Sequence, residues 1–377
     1  MLRFKRDDGT SYPEWEEKKI GDMGEIITGN TPSTQDLENY GDEFMFCSPA
    51  DMGDNKYILK TTKMLSLKGF NVSRKLPKGS ILVTCIGSTI GKIGIASKEM
   101  TSNQQINTII PYNSFNNEFI YYALLKNFKK FLNVVSNQAV PILNKSQFEK
   151  LLILVPCLEE QQKIADFLSE VDNIIAMSEQ EIESLEMQKK GAMQKIFSQE
   201  VRFKADDGSE YPEWEEKKIR DILEICHGKD YKLCKQIEKK YSVLGTGGII
   251  TYVDEFLCDW ECVLIGRKGT IDKPMYMDKP FWSVDTLFFS KPKEKQNVKF
   301  QYYLFEDINW KKYNEASGVP SLSASTIENI KVHIPCMEEQ QKIADFLSEF
   351  DNAIEYAKEE LEVWKNIKKG LLQQMFE

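Results

Sequence analysis

Only two histidines, His227 and His333, occur in this chain of 377 residues. That leaves little material for histidine-based acid–base or metal chemistry, and no carboxylate cluster with metal-ligand spacing stands out. Long apolar runs are missing as well. The run from Leu151 to Val155 cannot span a bilayer, and the opening MLRFKRDDG has no apolar stretch behind its basic residues. A cytoplasmic chain is therefore expected. Eight cysteines are too sparse for a secreted disulfide framework. Cys258 and Cys262, with Cys226 and His227 upstream, have an atypical spacing for zinc, so buried inert thiols are expected instead.

Catalytic fingerprints are also wanting. The stretch Gly87 to Lys92 resembles a phosphate-binding loop but has one residue too few between its glycines and no Ser or Thr after the lysine. Gly245 to Gly248 is followed by no helix of the pattern that a dinucleotide site needs. The Asn-Pro-Pro-aromatic motif and glycine-rich cofactor loop of an adenine methyltransferase are not found. The chain is expected to bind rather than to catalyse.

An excess of positive charge is likewise lacking, since the formal net charge is -9. DNA affinity comes largely from Lys and Arg on phosphates. The distribution alters that reading: residues 20–155 and 219–334 sum to roughly +3 and +1, whereas 157–200 and 336–377 sum to roughly -6 and -5. The acid lies on two segments that need not face a polyanion.

What the chain does have is a repeat. RFKRDDGTSYPEWEEKKI from Arg3 returns as RFKADDGSEYPEWEEKKI from Arg202, and PCLEEQQKIADFLSE from Pro156 returns as PCMEEQQKIADFLSE from Pro335. The offsets differ, so the second body is about twenty residues shorter than the first. The opening motif, with Asp-Asp-Gly and a proline before Glu-Trp, reads as a loop whose Trp15 or Trp214 docks on a neighbouring core.

The closing segments carry a heptad. Ile164, Leu168, Val171, Ile175, Ile182, Leu185, Ala192 and Ile196 alternate in steps of four and three, with Ser178 and Lys189 in the gaps. Ile343, Leu347, Phe350, Ile354, Ala357, Leu361, Trp364, Leu371 and Met375 repeat the frame. This predicts two coiled-coil helices, each on the order of 60 Å long. Proline ahead and two glutamates in the first turn suit a helix start. Related by a pseudo-two-fold axis, the helices run antiparallel within one chain. The bodies mix short strands with helices: SILVTCIGSTIGKIGIA and ECVLIGRKGTIDKPMY read as strands entering glycine-rich turns, EFIYYALLKNFKKFL as a helix, and LLILVP and KVHIP as closing strands. The fold class is α+β, with two globular bodies joined by the two helices. The expected boundaries are 1–155, 156–200, 201–334 and 335–377.

Two dissimilar bodies framed by the Pro-x-x-Glu-Glu-Gln-Gln-Lys-Ile-Ala-x-Phe-Leu helix resemble the specificity subunits of type I restriction-modification systems. The resemblance implies that each body is a target recognition domain reading half of a bipartite site in double-stranded DNA. It further implies that the helices set the distance between half-sites and dock methyltransferase subunits, two of them, with restriction and translocase subunits joining. No cofactor is implied for this chain; S-adenosylmethionine, ATP and Mg would reside in the partners, which would flip out and methylate an adenine.

Thr28 to Pro32, with Asn30 and Thr31, resembles the early loop of one kind of recognition domain, followed by the strand end Cys47 to Asp51. Gly228 to Tyr231, Gly245 to Gly248, Gly266 to Thr270 and Trp282 to Thr286 resemble another kind. Val140-Pro141 and Val319 to Leu322 match a recurring turn, although Asn137 to Ala139 stand where the second body has Ser317-Gly318. Arg and Lys suit guanine, Asn and Gln suit adenine, and glycine turns bring amides to phosphate. The DNA candidates are therefore Arg267, Lys268, Thr270, Lys229 and Thr246 in the second body. In the first they are Lys92, Ser88, Thr89, Gln104, Gln105, Asn30 and Thr31. A coiled-coil scaffold joining two protein or glycan modules, or a stand-alone DNA-binding regulator, remains open on the residues alone.

Overall fold

A computed structural model describes residues 2–53, 55–132, 141–293 and 296–376. The chain divides into two compact units, Met1–Ser178 with Glu360–Glu377 and Glu179–Glu359. Both boundaries fall inside the long helices, Leu158–Phe197 and Met337–Phe376, so each unit holds one body and half of each helix.

In the first body five strands lie in the order Gly24–Thr28, Ile106–Pro111, Ile81–Thr84, Ile93–Ala96 and Tyr57–Ile58. Ile109 pairs with Ile26 on one side and Ile81 on the other, and all three are buried. The helix Asn117–Leu132 supplies Phe119, Ile120, Tyr122 and Ala123 to the same core. Its start is capped by the Asn116 side chain, which accepts from the Phe119 amide at 2.9 Å. A second, four-stranded sheet has its own small core around Met45, Cys47, Met52, Leu76 and Met100.

The second body repeats this plan. Its four-stranded sheet places Phe289 between Cys226 and Leu264, and the helix Val298–Asp307 starts under an equivalent cap, Asn297 accepting from the Phe300 amide at 2.8 Å. A three-stranded sheet adds Gly248–Val253, Gln236–Gly245 and Phe281–Ser283. Cys258 and Cys262 are free and buried, their sulfurs 3.9 Å apart.

Each body closes on a two-stranded ribbon, Glu16–Lys19 with Leu152–Val155 and Glu215–Lys218 with Lys331–Ile334. The opening motif thus ends in a strand, where a loop throughout is the sequence expectation. Four consecutive charged residues are tolerated there because the ribbon leaves their side chains largely in solvent, with Lys18 on Glu16 at 2.7 Å. In the partner strand Ile153 and Val155 turn inward while Leu152 and Leu154 face out, the two-residue period of a strand.

Within the first unit the start of one long helix meets the end of the other, with Asp172 and Lys368 2.7 Å apart. Within the second unit Lys189 contacts Asp351, and Lys358 contacts Glu186, each at 2.7 Å. The helices are therefore antiparallel. Ile164, Leu168, Val171, Ile182, Ile343, Leu347, Ile354 and Leu361 are buried, whereas Ile175, Leu185, Phe350 and Trp364 are half-buried. Ile164 and Leu168 join the core of the first body together with Leu372, Met375 and Phe376. Ile343 and Leu347 join that of the second with Met193 and Ile196. The apolar stripe at the helix ends thus also forms the floor of each body.

The repeated Glu-Glu-Gln-Gln-Lys run is spent on contacts within the chain. The fully buried Glu160 carboxylate accepts from the Arg3 guanidinium at 3.0 Å and the Trp15 indole at 3.2 Å; Glu339 accepts from Arg202 at 2.8 Å and Trp214 at 3.1 Å. Gln161 accepts from the Asn116 amide and Gln340 from the Asn297 amide, fastening each body helix to a long helix. Lys163 and Lys342 bind Asp7 and Asp206 of the opening turns. The docking role expected for Trp15 and Trp214 is what these bonds secure.

Candidate nucleic-acid interface

Five candidates of the second body come together on one rim. The Arg267 and Lys268 amides both donate to the Thr286 carbonyl, at 2.8 and 3.3 Å. The Lys229 amide donates to the Ser283 carbonyl at 2.7 Å, and the Lys229 carbonyl accepts from the Trp282 indole at 2.9 Å. Thr246 approaches from the hairpin turn, its hydroxyl 3.5 Å from where a Gly269 Cβ would stand. Lys229, Lys268 and Thr270 are exposed. Lys268 and Lys229 have ammonium groups with no hydrogen-bond partner among the described residues, whereas Arg267 donates to the Asp285 carbonyl at 3.3 Å and lies over the Phe288 ring at 5.9 Å. The lysines are free to meet an anion; the arginine is held in its own loop.

The first body brings its candidates along a corresponding rim, but several are engaged with each other. Thr31 bonds Gln104 at 2.6 Å. Asn30 donates to the Val72 carbonyl and accepts from the Arg74 amide, so it also braces its loop. Gln105 accepts from Asn103 at 3.0 Å and lies 3.5 Å from where a Gly87 Cβ would stand, beside Ser88 and Thr89. Lys92 reaches the Pro49 carbonyl at 3.5 Å.

Matching backbone bonds build both rims. The Cys85 amide donates to Gln105, the Leu143 amide to Cys85 and the Gly87 amide to Pro141. Arg267 to Thr286, Leu322 to Arg267 and Gly269 to Pro320 repeat all three. Isolated bridges, Ile86 with Ile142 and Lys268 with Ser321, complete the match. The recurring Pro141 and Pro320 turns are thus part of the frame, while Asn137 to Val140 lie outside the described residues. Gly29 and Gly228 are required in it: a Cβ would come within 2.2 Å of the Asn103 carbonyl oxygen in one case and 1.9 Å of the Val284 carbonyl oxygen in the other.

Sequence reasoning passes over Ile249 and Ile250, both exposed on the hairpin beyond Gly248, because turn chemistry draws the eye to the glycines. It also passes over Arg74, whose guanidinium donates to the Thr28 carbonyl at 2.6 Å on the first rim. No group of three or more His, Cys, Asp or Glu able to hold a metal occurs among the described residues, and no helix among them is long and apolar enough to cross a membrane.

Two bodies on one backbone frame, differing in rim side chains, define a modular recognition protein. The profile of the type I restriction modification DNA specificity domain matches residues 12–187 and again 211–363. The chain belongs to this family and is a DNA-specificity component, not itself an enzyme. It is 27% identical to the specificity subunit of the type I restriction enzyme MjaVIII of Methanocaldococcus jannaschii, over 98% of this chain and 94% of that one. It is 23% identical to the EcoprrI specificity subunit of Escherichia coli, over 86% and 85%. The fold is similar to the crystal structure of a type I restriction-modification S subunit from M. genitalium, with TM-score 0.66, 19% identity and coverage of 100% and 98%.

Proposed function

We propose that this chain reads a bipartite site in double-stranded DNA for a type I restriction-modification complex, one half-site per body. The bodies are residues 1–155 and 201–334, and the intervening helices, 156–200 and 335–377, present the platform for two methyltransferase subunits and for restriction and translocase subunits. S-adenosylmethionine, ATP and Mg belong to those partners, and the assembly works in the cytoplasm.

The observation that carries this reading is the shared frame with exchanged chemistry: matching backbone bonds hold a buried Cys85 and a half-buried Ile86 in one body, and a half-buried Arg267 and an exposed Lys268 in the other. A scaffold that keeps its bonds while changing the groups at its rim suits the reading of different sequences. Lys229 and Lys268 suit phosphate, Arg267 a guanine edge, and Thr246 and Thr270 shorter polar contacts. Asn30, Thr31, Ser88, Thr89, Lys92, Gln104 and Gln105 serve the other half-site.

Replacing residues 21–145 with the equivalent body of another family member tests this. Methylome sequencing should show one half-site changed and the other intact; change in both halves would overturn it. Arg267→Ala with Lys268→Ala should weaken DNA binding while the complex still assembles. A lost base contact costs about 1–3 kcal/mol at one position, whereas a lost phosphate contact flattens the salt dependence for all sequences.

A further inference from the structure

We infer that Ile249 and Ile250 form an apolar contact for thymine 5-methyl groups, by which the second body selects thymine in its half-site. The inference rests on the DNA-reading assignment above. The two residues lie on the hairpin made by Gln236–Gly245 and Gly248–Val253, where Gly245 pairs with Gly248 across the turn Thr246-Gly247. They are 58% and 52% exposed. Single exposed aliphatics are ordinary on a protein surface. Here two follow each other at a β-bulge: Ile249 pairs with Leu244 and Thr251 with Val243, so Ile250 is the extra residue of the strand, and Ile250 adjoins the cationic rim.

The position of Ile250 is fixed by what surrounds it. Its Cδ1 lies 3.0 Å from where a Gly245 Cβ would stand, and Val284 Cγ2 and Thr286 Oγ1 lie 3.5 and 3.6 Å from the same point. Thr286 is the residue whose carbonyl accepts the Arg267 and Lys268 amides. Apolar tip and cationic loop therefore share one patch of surface. Beside it Lys229, Arg267 and Lys268 outnumber the acid Asp285, while Asp230 and Lys232 pair with each other at 3.3 Å. That balance favours a polyanion as the occupant.

A two-stranded ribbon fits the major groove of B-DNA, and thymine alone among the bases presents a methyl group there. The cations would draw the ribbon onto phosphates common to every sequence. The isoleucines would then gain only where a methyl fills the space against them.

The test uses the full chain and a duplex carrying its methylome-mapped target. Each thymine of the half-site assigned to the second body is replaced in turn by deoxyuridine, which differs only by the methyl. At one or more positions the replacement should weaken binding about threefold to fourfold, the worth of one buried methyl. The Ile249→Ala, Ile250→Ala protein should bind the thymine and uracil duplexes alike, while still melting in one cooperative transition because each side chain is about half exposed. Wild-type binding indifferent to every replacement, or a loss of equal size in the variant, would overturn the inference. If instead the protein showed no preference for the target over a scrambled duplex, the DNA-reading assignment itself would fail.

Discussion

Where the first body places Cys85 and Ile86, the second places Arg267 and Lys268, held by the same set of backbone bonds. A similar exchange occurs where each body meets the long helices. In the first unit Tyr122 donates to Asp172 at 2.5 Å, and Lys368 reaches that carboxylate at 2.7 Å; in the second Tyr303 donates to Asp351 at 2.5 Å and Lys189 reaches it at 2.7 Å. Those three positions are constant. Two residues beyond the helix cap, however, the first body has Glu118 and the second Lys299, opposite in sign. Each body compensates from elsewhere: Lys56 bonds Glu118 at 3.2 Å in one, and Glu306 bonds Lys189 at 2.8 Å in the other. Both clusters end with two lysines and two carboxylates. The constant helices thus impose charge balance on whichever body they carry, while leaving open which residues supply it.

The largest expected effect comes from breaking what the units share. Glu339 is fully buried between Arg202 and Trp214, so Glu339→Ala leaves a guanidinium without its inner partner and an indole N–H without an acceptor. A loss of about 3 kcal/mol is expected in urea denaturation, with Glu160→Ala matching it. Removing Glu213 or Glu14, the exposed second partners of the same arginines, should change nothing measurable. A next step down is Asp172→Ala or Asp351→Ala, each costing about 2 kcal/mol because charge-assisted bonds are lost in a half-buried place. The comparison sharpens if Glu118→Lys destabilises and Lys56→Glu in the same chain recovers part of the loss, with a coupling of about 1 kcal/mol in a double-mutant cycle.

The elements with a short-range signature were legible in the sequence. The heptad, the duplicated segments, the tryptophan docking and the closing strand Leu152–Val155 all rest on periodicity or near-identity. Lys189 stands out as a gap in the apolar stripe, but its reason does not, since Glu306 and Asp351 lie far away in sequence. Lys189 keeps its proton although burial opposes it, because those two carboxylates outweigh the burial. The common rim was hidden for the same cause: its frame consists of backbone bonds, to which side-chain identity is nearly indifferent. Residue type marks a DNA candidate but not its partners, so the sequence does not show that Thr31 and Gln104 bond each other while the Lys268 ammonium has no partner among the described residues.

A loss of similar size, but confined to one body, should follow from crowding the frame. Gly228→Ala would press a methyl into the Val284 carbonyl, and Gly29→Ala into those of Ser102 and Asn103, all of them backbone atoms with little room to yield. About 1–3 kcal/mol of stability should be lost in each case. The Ser283 to Thr286 segment also holds Lys229, Arg267 and Lys268, so Gly228→Ala should weaken DNA binding in the second half-site while leaving the first unchanged. Half-site duplexes tested separately would show it, and an equal loss at both would mean that the frame does not serve each body independently.

The mildest test is one of acidity, confined to the first cluster. Burial pushes the Glu118 carboxyl up, but the Ser169 and Tyr57 hydroxyls and the Lys56 ammonium bring it net below its ordinary value. A carboxylate depressed in the folded state stabilises fully above its unfolded value, about 4.3, and that contribution drains away as the pH falls through the folded value. Glu118→Gln keeps the shape and drops the charge. The variant should therefore be less stable than the parent at pH 7, and the difference should shrink steadily below about pH 4 as the parent carboxylate takes up its proton. Urea midpoints measured for both proteins across this range decide the matter. A difference that stayed constant to the acid end would assign the loss to packing, and the charge balance of the first cluster would then contribute nothing to holding its body in place.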